Sequence, residues 1–109
     1  MDISSFKQVK LVVTVPASHA DAVRKALGDA GAGKLGEYDH CSISVKVIGR
    51  YKGSEKSHPA IGSPNIYESV EEERIEVNVD TDKLPKVISQ LKKVHPYEEP
   101  SIDIYPLLT

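Results

Sequence analysis

The densest cluster of functional groups in the chain is the run His95-Pro96-Tyr97-Glu98-Glu99-Pro100. An imidazole three and four residues from two carboxylates can contribute to a site for a divalent ion such as zinc, with His95 and Glu98 as the first ligands. One histidine with carboxylates is an incomplete site, so further ligands would have to come from His58, His40, His19, Cys41 or another subunit. The alternative is structural: two prolines fix a turn, Tyr97 packs and the acids sit in solvent.

Other groups with chemical potential are weaker. Tyr38-Asp39-His40-Cys41 offers a thiol next to an imidazole, but adjacent residues of a strand point to opposite faces and cannot pair as nucleophile and base. Cys41 reads as a small buried hydrophobe. Glu71-Glu72-Glu73 reads as a solvated strand edge, with Glu72 on the face opposite its neighbours and an ion pair to Arg74 as an option. Gly31-Ala32-Gly33-Lys34-Leu35-Gly36 spells G-x-G-x-x-G, yet it follows a helix and precedes a strand. A dinucleotide site needs the reverse order, so these glycines read as a helix end and a tight turn.

The elements that must position these groups follow from periodicity. Val9, Leu11, Val13 and Val15 alternate with Lys10, Val12 and Thr14, a strand that Pro16 ends. Ser18 with Asp21 signals a helix start, and Val23, Ala26, Leu27 and Ala30 form its apolar stripe up to Gly31. Cys41, Ile43, Val45 and Val47 alternate with Ser42, Ser44 and Lys46. Periodicity is lost from about Gly49 to Ser69, an irregular segment rich in glycine, serine and proline. A loop of that length is usually functional or disordered, and Lys52, Lys56 and His58 would suit a mobile ligand-binding flap. Ile75, Val77 and Val79 mark a third strand. Thr81 or Asp82 can cap a second helix with Pro85 in its first turn and a stripe of Leu84, Val87, Ile88 and Leu91. Ile102 and Ile104 give a short last strand. The order β-α-β-loop-β-α-β predicts a ferredoxin-like α+β fold, one antiparallel sheet with two helices on one face, as a single domain over residues 1–109. The other face must be polar or covered by another subunit, and Lys10, Ser42, Ser44, Lys46 and Glu76 are expected on it.

Composition bounds the function. A hydrophobic content of 39%, a charged content of 28% and a net charge of −2 are those of a globular domain with no electrostatic case for nucleic acid or anionic membrane. The longest apolar run, Leu11-Val12-Val13, is too short to span a bilayer. A lone cysteine makes no internal disulfide and points to the cytoplasm.

Several segments together resemble one family. Gly31-Ala32-Gly33, Gly36-x-Tyr38-x-x-Cys41-Ser42, Gly49-x-Tyr51, His58-Pro59-x-Ile61-Gly62, Glu71-Glu72-x-Arg74-Ile75-Glu76 and His95-Pro96-Tyr97-Glu98-Glu99-Pro100 are similar to the Nif-three-like (YqfO-type) proteins. The similarity is to the domain inserted within bacterial members and runs from about Lys10 to Leu107. The last run also resembles the tail of CutA-type divalent-cation-tolerance proteins. The resemblance implies a CutA/PII-like fold, a homo-oligomer with a trimer favoured, and a long loop at the position of the PII effector loop. The dinuclear metal site of the larger proteins lies on flanking domains, so their hydrolase-like activity does not carry over to a stand-alone inserted domain. The expectation is a non-enzymatic module that binds a small ligand or a divalent metal ion. Candidate ligand-binding residues are Tyr97, Glu98, Glu99, Tyr38 and Arg50, and candidate metal ligands are His95, Glu98 and His58. The rival readings are a protein–protein adaptor that docks on a larger partner and a metal-dependent hydrolase with an intersubunit site.

Overall fold

A computed structural model describes residues 2–108. Four strands and two helices alternate as β1 (Gln8–Pro16), α1 (Ala20–Asp29), β2 (Ile43–Lys52), β3 (Tyr67–Asp80), α2 (Leu84–Val94) and β4 (Ile102–Pro106). The sheet order is β2-β3-β1-β4, with every neighbouring pair antiparallel. This is the α+β arrangement that the two apolar periods predict.

The core lies between the helices and one face of the sheet. Val9, Leu11, Val13 and Val15 of β1 stand opposite Val79, Val77, Ile75 and Glu73 of β3, and the aliphatic members are buried. Val23 and Leu27 of α1 and Val87 and Leu91 of α2 close over them, each fully buried. Each such side chain contributes about 1.5–3 kcal/mol by leaving water. Ile88, Ile102 and Ile104 pack at the margin.

The helix starts differ from the expected caps. A 3-10 turn, Ala17–His19, leads into α1, and the Ser18 hydroxyl bonds the His19 ring at 2.9 Å instead of capping. Asp21 does stand in the first turn, paired with Arg24. Before α2 a second 3-10 turn, Thr81–Lys83, takes the capping place, and the Thr81 hydroxyl donates to the Phe6 carbonyl at 2.6 Å. Pro85 sits in the first turn of α2 as expected, and Lys92 and Lys93 in its last turn complement the helix dipole. The glycines after α1 serve the turn: Gly33 has φ +80°, and a β-carbon there would strike the Cys41 backbone.

Two expectations about β2 and β3 are corrected. The irregular segment is shorter than 49–69, because β2 continues to Lys52 and β3 already begins at Tyr67. Residues 47–52 and 67–72 pair as a ribbon that runs past the end of β1, whose Pro16 faces Glu72. With no helix over it, this ribbon carries no alternating apolar signal. The faces of β2 are also reversed. Ser44 pairs with the core residue Ile75, so Ser44 and Lys46 share the helix side, whereas Ile43 pairs with Glu76 and lies with Val45 on the uncovered face. Cys41 precedes β2 and is only half-buried.

Candidate functional site

The His95–Ser101 segment leaves α2 and passes round the end of β1 to the uncovered face. His95 anchors the crossing. Its Nε2–H donates to the Thr14 carbonyl at 2.7 Å, and its Nδ1 accepts the Tyr97 N–H at 3.1 Å. Burial lowers the His95 pKa, which suits a neutral ring with one donor and one acceptor. The turn delivers the Tyr97 hydroxyl to Glu72, to which it donates at 2.7 Å. Burial and the Glu72 carboxylate push the Tyr97 phenol well up, so it stays a donor.

Glu72 is 6% exposed although it lies on the face away from the helices. Gly49 of the adjacent strand makes room for it, since a β-carbon at that position would overlap the Glu72 carboxylate. The Tyr51 ring meets Tyr97 edge-on, with centroids 5.8 Å apart. The Tyr51 hydroxyl donates to the Ile61 carbonyl at 2.7 Å, which ties the 53–66 loop to the ribbon. The His58 N–H donates to Glu98 Oε1 at 3.1 Å and ties the same loop to the His95–Ser101 turn. Between these walls opens a cleft of about 600 Å³ whose lining includes Thr14, Tyr51, Glu72, Arg74, Tyr97 and Glu98.

Of the residues singled out in the sequence, Tyr97, Glu98, Glu99 and Arg50 line this cleft. Tyr38 does not. It is 73% exposed on a turn with Leu35, beyond the opposite end of β2. His95 lies beneath the cleft, and both of its ring nitrogens are engaged with backbone. His58 touches Glu98 through its backbone, not its ring. The donors for a divalent metal therefore do not fit as one set. Among the described residues no group of three or more His, Cys, Asp or Glu side chains is placed to hold a metal ion. The His40–Cys41 pair also makes no catalytic unit: the His40 ring bonds Asp29 at 3.0 Å and Asp39 at 2.7 Å and covers Gly28 of α1.

Glu72 and Arg74 stand out in the sequence only as an optional ion pair and Tyr51 only within the family likeness, none of them as a site residue. Strand alternation did separate Glu72 from Glu71 and Glu73, but the cover that buries it comes from Tyr97, distant in sequence. Glu73 pairs with Arg24 at 2.6 Å, and Arg74 turns to Glu76 at 3.5 Å. A smaller hollow of about 210 Å³ lies at the other end of the uncovered face, among Lys10, Leu35, Ile43 and Asn78. The Asn78 Oδ1 atom there is buried without a donor among the described residues.

No family model matches the chain. Curated relatives do. It is 48% identical over 98 residues to a GTP cyclohydrolase 1 type 2 homolog of Halalkalibacterium halodurans, covering 90% of this chain and 26% of that protein. The Mycobacterium tuberculosis protein of the same name is 41% identical over 99 residues, covering 91% and 26%. The chain thus spans about a quarter of the length of the curated relatives it matches. Among solved structures, a Bacillus cereus protein related to NIF3 superposes with a TM-score of 0.82 at 42% identity, over 95% of this chain and 26% of that one. The divalent cation tolerance protein CutA of Archaeoglobus fulgidus superposes with a TM-score of 0.68 at 17% identity, over 94% and 85%. The PII-like protein CutA of Nostoc gives 0.65 at 17%, over 92% and 81%. The chain is a relative of the Nif-three-like (YqfO-type) proteins through one segment of about a quarter of their length, and that segment has the CutA/PII-like α+β fold.

Proposed function

We propose that the chain is a non-enzymatic CutA/PII-like module that self-associates and binds a small ligand in the cleft between the ribbon and the His95–Ser101 turn. The observation that carries this reading is the buried Glu72 at the cleft wall, held by the Tyr97 hydroxyl beside the Tyr51 ring. A pocket with few convergent polar groups and aromatic walls suits a small molecule. Self-association is supported by the uncovered sheet face, where Ile43 and Val45 are exposed and Asn78 Oδ1 has no donor among the described residues. A trimer is the assembly the family likeness favours. The single cysteine supports a reducing, cytoplasmic setting.

For a divalent metal, one chain supplies too few ligands, because His95 is spent on backbone. Glu98 and the His58 ring would need donors from a second copy. Sedimentation velocity combined with calorimetric screening of small ligands and divalent ions tests the proposal. A species of three times the chain mass that takes up a ligand supports it. A strict monomer that takes up none overturns it.

A further inference from the structure

The cleft just described holds an imbalance that points to the chemistry of its ligand. Glu72 is more than nine-tenths buried, and a carboxylate offers about four lone-pair sites. Among the described residues its side chain takes one hydrogen bond, from the Tyr97 hydroxyl to Oε2. The other oxygen, Oε1, takes no hydrogen bond from those residues and is not sealed from solvent, so it stands open to a cation or a strong donor in the cleft. The surroundings suit an organic cation better than a metal ion. Tyr51 and Tyr97 present aromatic surface beside the carboxylate, and no set of metal ligands converges there.

Arg74 supplies the opposite charge. It stands two residues from Glu72 on the same face of β3, about 7 Å along the strand. Its Nε approaches Glu76 Oε2 at 3.5 Å, its one ion pair among the described residues, while the rest of the guanidinium remains free to bind an anion. Val47 also lines the cleft, an apolar contact for a short methylene chain.

Resting on the reading that this cleft binds a small ligand, we propose that the ligand is a zwitterion of the ω-amino-acid type. Its ammonium group sits against Glu72 and the rings of Tyr51 and Tyr97, and its carboxylate on Arg74. Methylenes between the two charges let it span the separation of Glu72 and Arg74, which an α-amino acid does not.

Amide NMR titration of the full chain tests this with four probes: γ-aminobutyrate, butylamine, butyrate and inorganic phosphate. The expected result is saturable shifts of the Gly49, Glu72, Arg74 and Tyr97 amides with γ-aminobutyrate at millimolar concentration, weaker ones with butylamine, and the weakest with the two anions. Glu72→Gln should weaken γ-aminobutyrate binding by about tenfold or more, the scale of a charge-assisted hydrogen bond. If that variant loses its dispersed spectrum, Tyr51→Leu serves instead, and binding undiminished in it counts against the proposal. Should butyrate or phosphate shift these amides as strongly as γ-aminobutyrate, the zwitterion is wrong while ligand binding in the cleft stands. If none of the four shifts them, the zwitterion proposal falls, and the calorimetric screen decides whether the cleft binds another class of ligand.

Discussion

His95 and His40 are both hydrogen-bonded, yet their surroundings move them in opposite directions. Burial lowers His95 below the ordinary 6.5, so its contribution to stability is present above that value and is lost as pH falls through the folded-state pKa. Hydrogen bonds to Asp29 and then Asp39 raise His40, so its contribution is present below 6.5 and is lost as pH rises through its folded-state pKa. Urea midpoints measured from roughly pH 5 to pH 8 should therefore fall off on both sides. His40→Asn should flatten the alkaline limb and leave the acid limb in place. An unchanged alkaline limb would remove His40 from the account. His95→Ala should cost about 1–3 kcal/mol at neutral pH by removing the donor of the half-buried Thr14 carbonyl, a loss readable in the same urea curves. That the His95–Pro100 run mattered was legible from its composition. That His95 anchors it and Glu72 receives it was not, because both partners lie far away in sequence.

The elements divide into a packed body and a projecting ribbon. Leu27 and Leu91 are fully buried between the helices and the sheet, so Leu27→Ala should destabilise by about 2–5 kcal/mol. Ile48 lies on the ribbon with more than half its surface in solvent, and Ile48→Ala should change stability by no more than about 0.5 kcal/mol. Equal losses in chemical denaturation would show that the ribbon belongs to the cooperative core. The same division explains what the sequence revealed. Where one face packs on a helix, as in Val9–Val15 and Ile75–Val79, alternation marked the strand. In Gly49–Lys52 and Tyr67–Ser69 neither face is in the core, so strand backbone carries the signal of a loop. The faces of β2 were misassigned for a related reason. Ile43, Val45 and Val47 are apolar as a core face would be, but their register opposite Glu76, Arg74 and Glu72 sends them to the side without helices.

Across that open side, from β2 to β4, one row of neighbours reads Ile43, Glu76, Val12 and Asp103. The next row reads Val45, Arg74 and Thr14. At the β2 edge of this face stand the apolar Ile43 and Val45, with Glu76 and Arg74 beside them on β3 and the buried Val12 beyond Glu76. Ile43 and Val45 give nothing to the core, yet both keep about half or more of their surface in solvent. If another copy covers them, a charge placed there has to be desolvated on association but not on folding. Val45→Lys should therefore lower the sedimentation coefficient to that of a monomer while the far-UV circular dichroism stays that of the parent. The melting temperature of the parent should rise with protein concentration, and that of the variant should not. An assembly that survives Val45→Lys and Ile43→Lys together would place the contact elsewhere, with the exposed β2 backbone edge and the ribbon next in line.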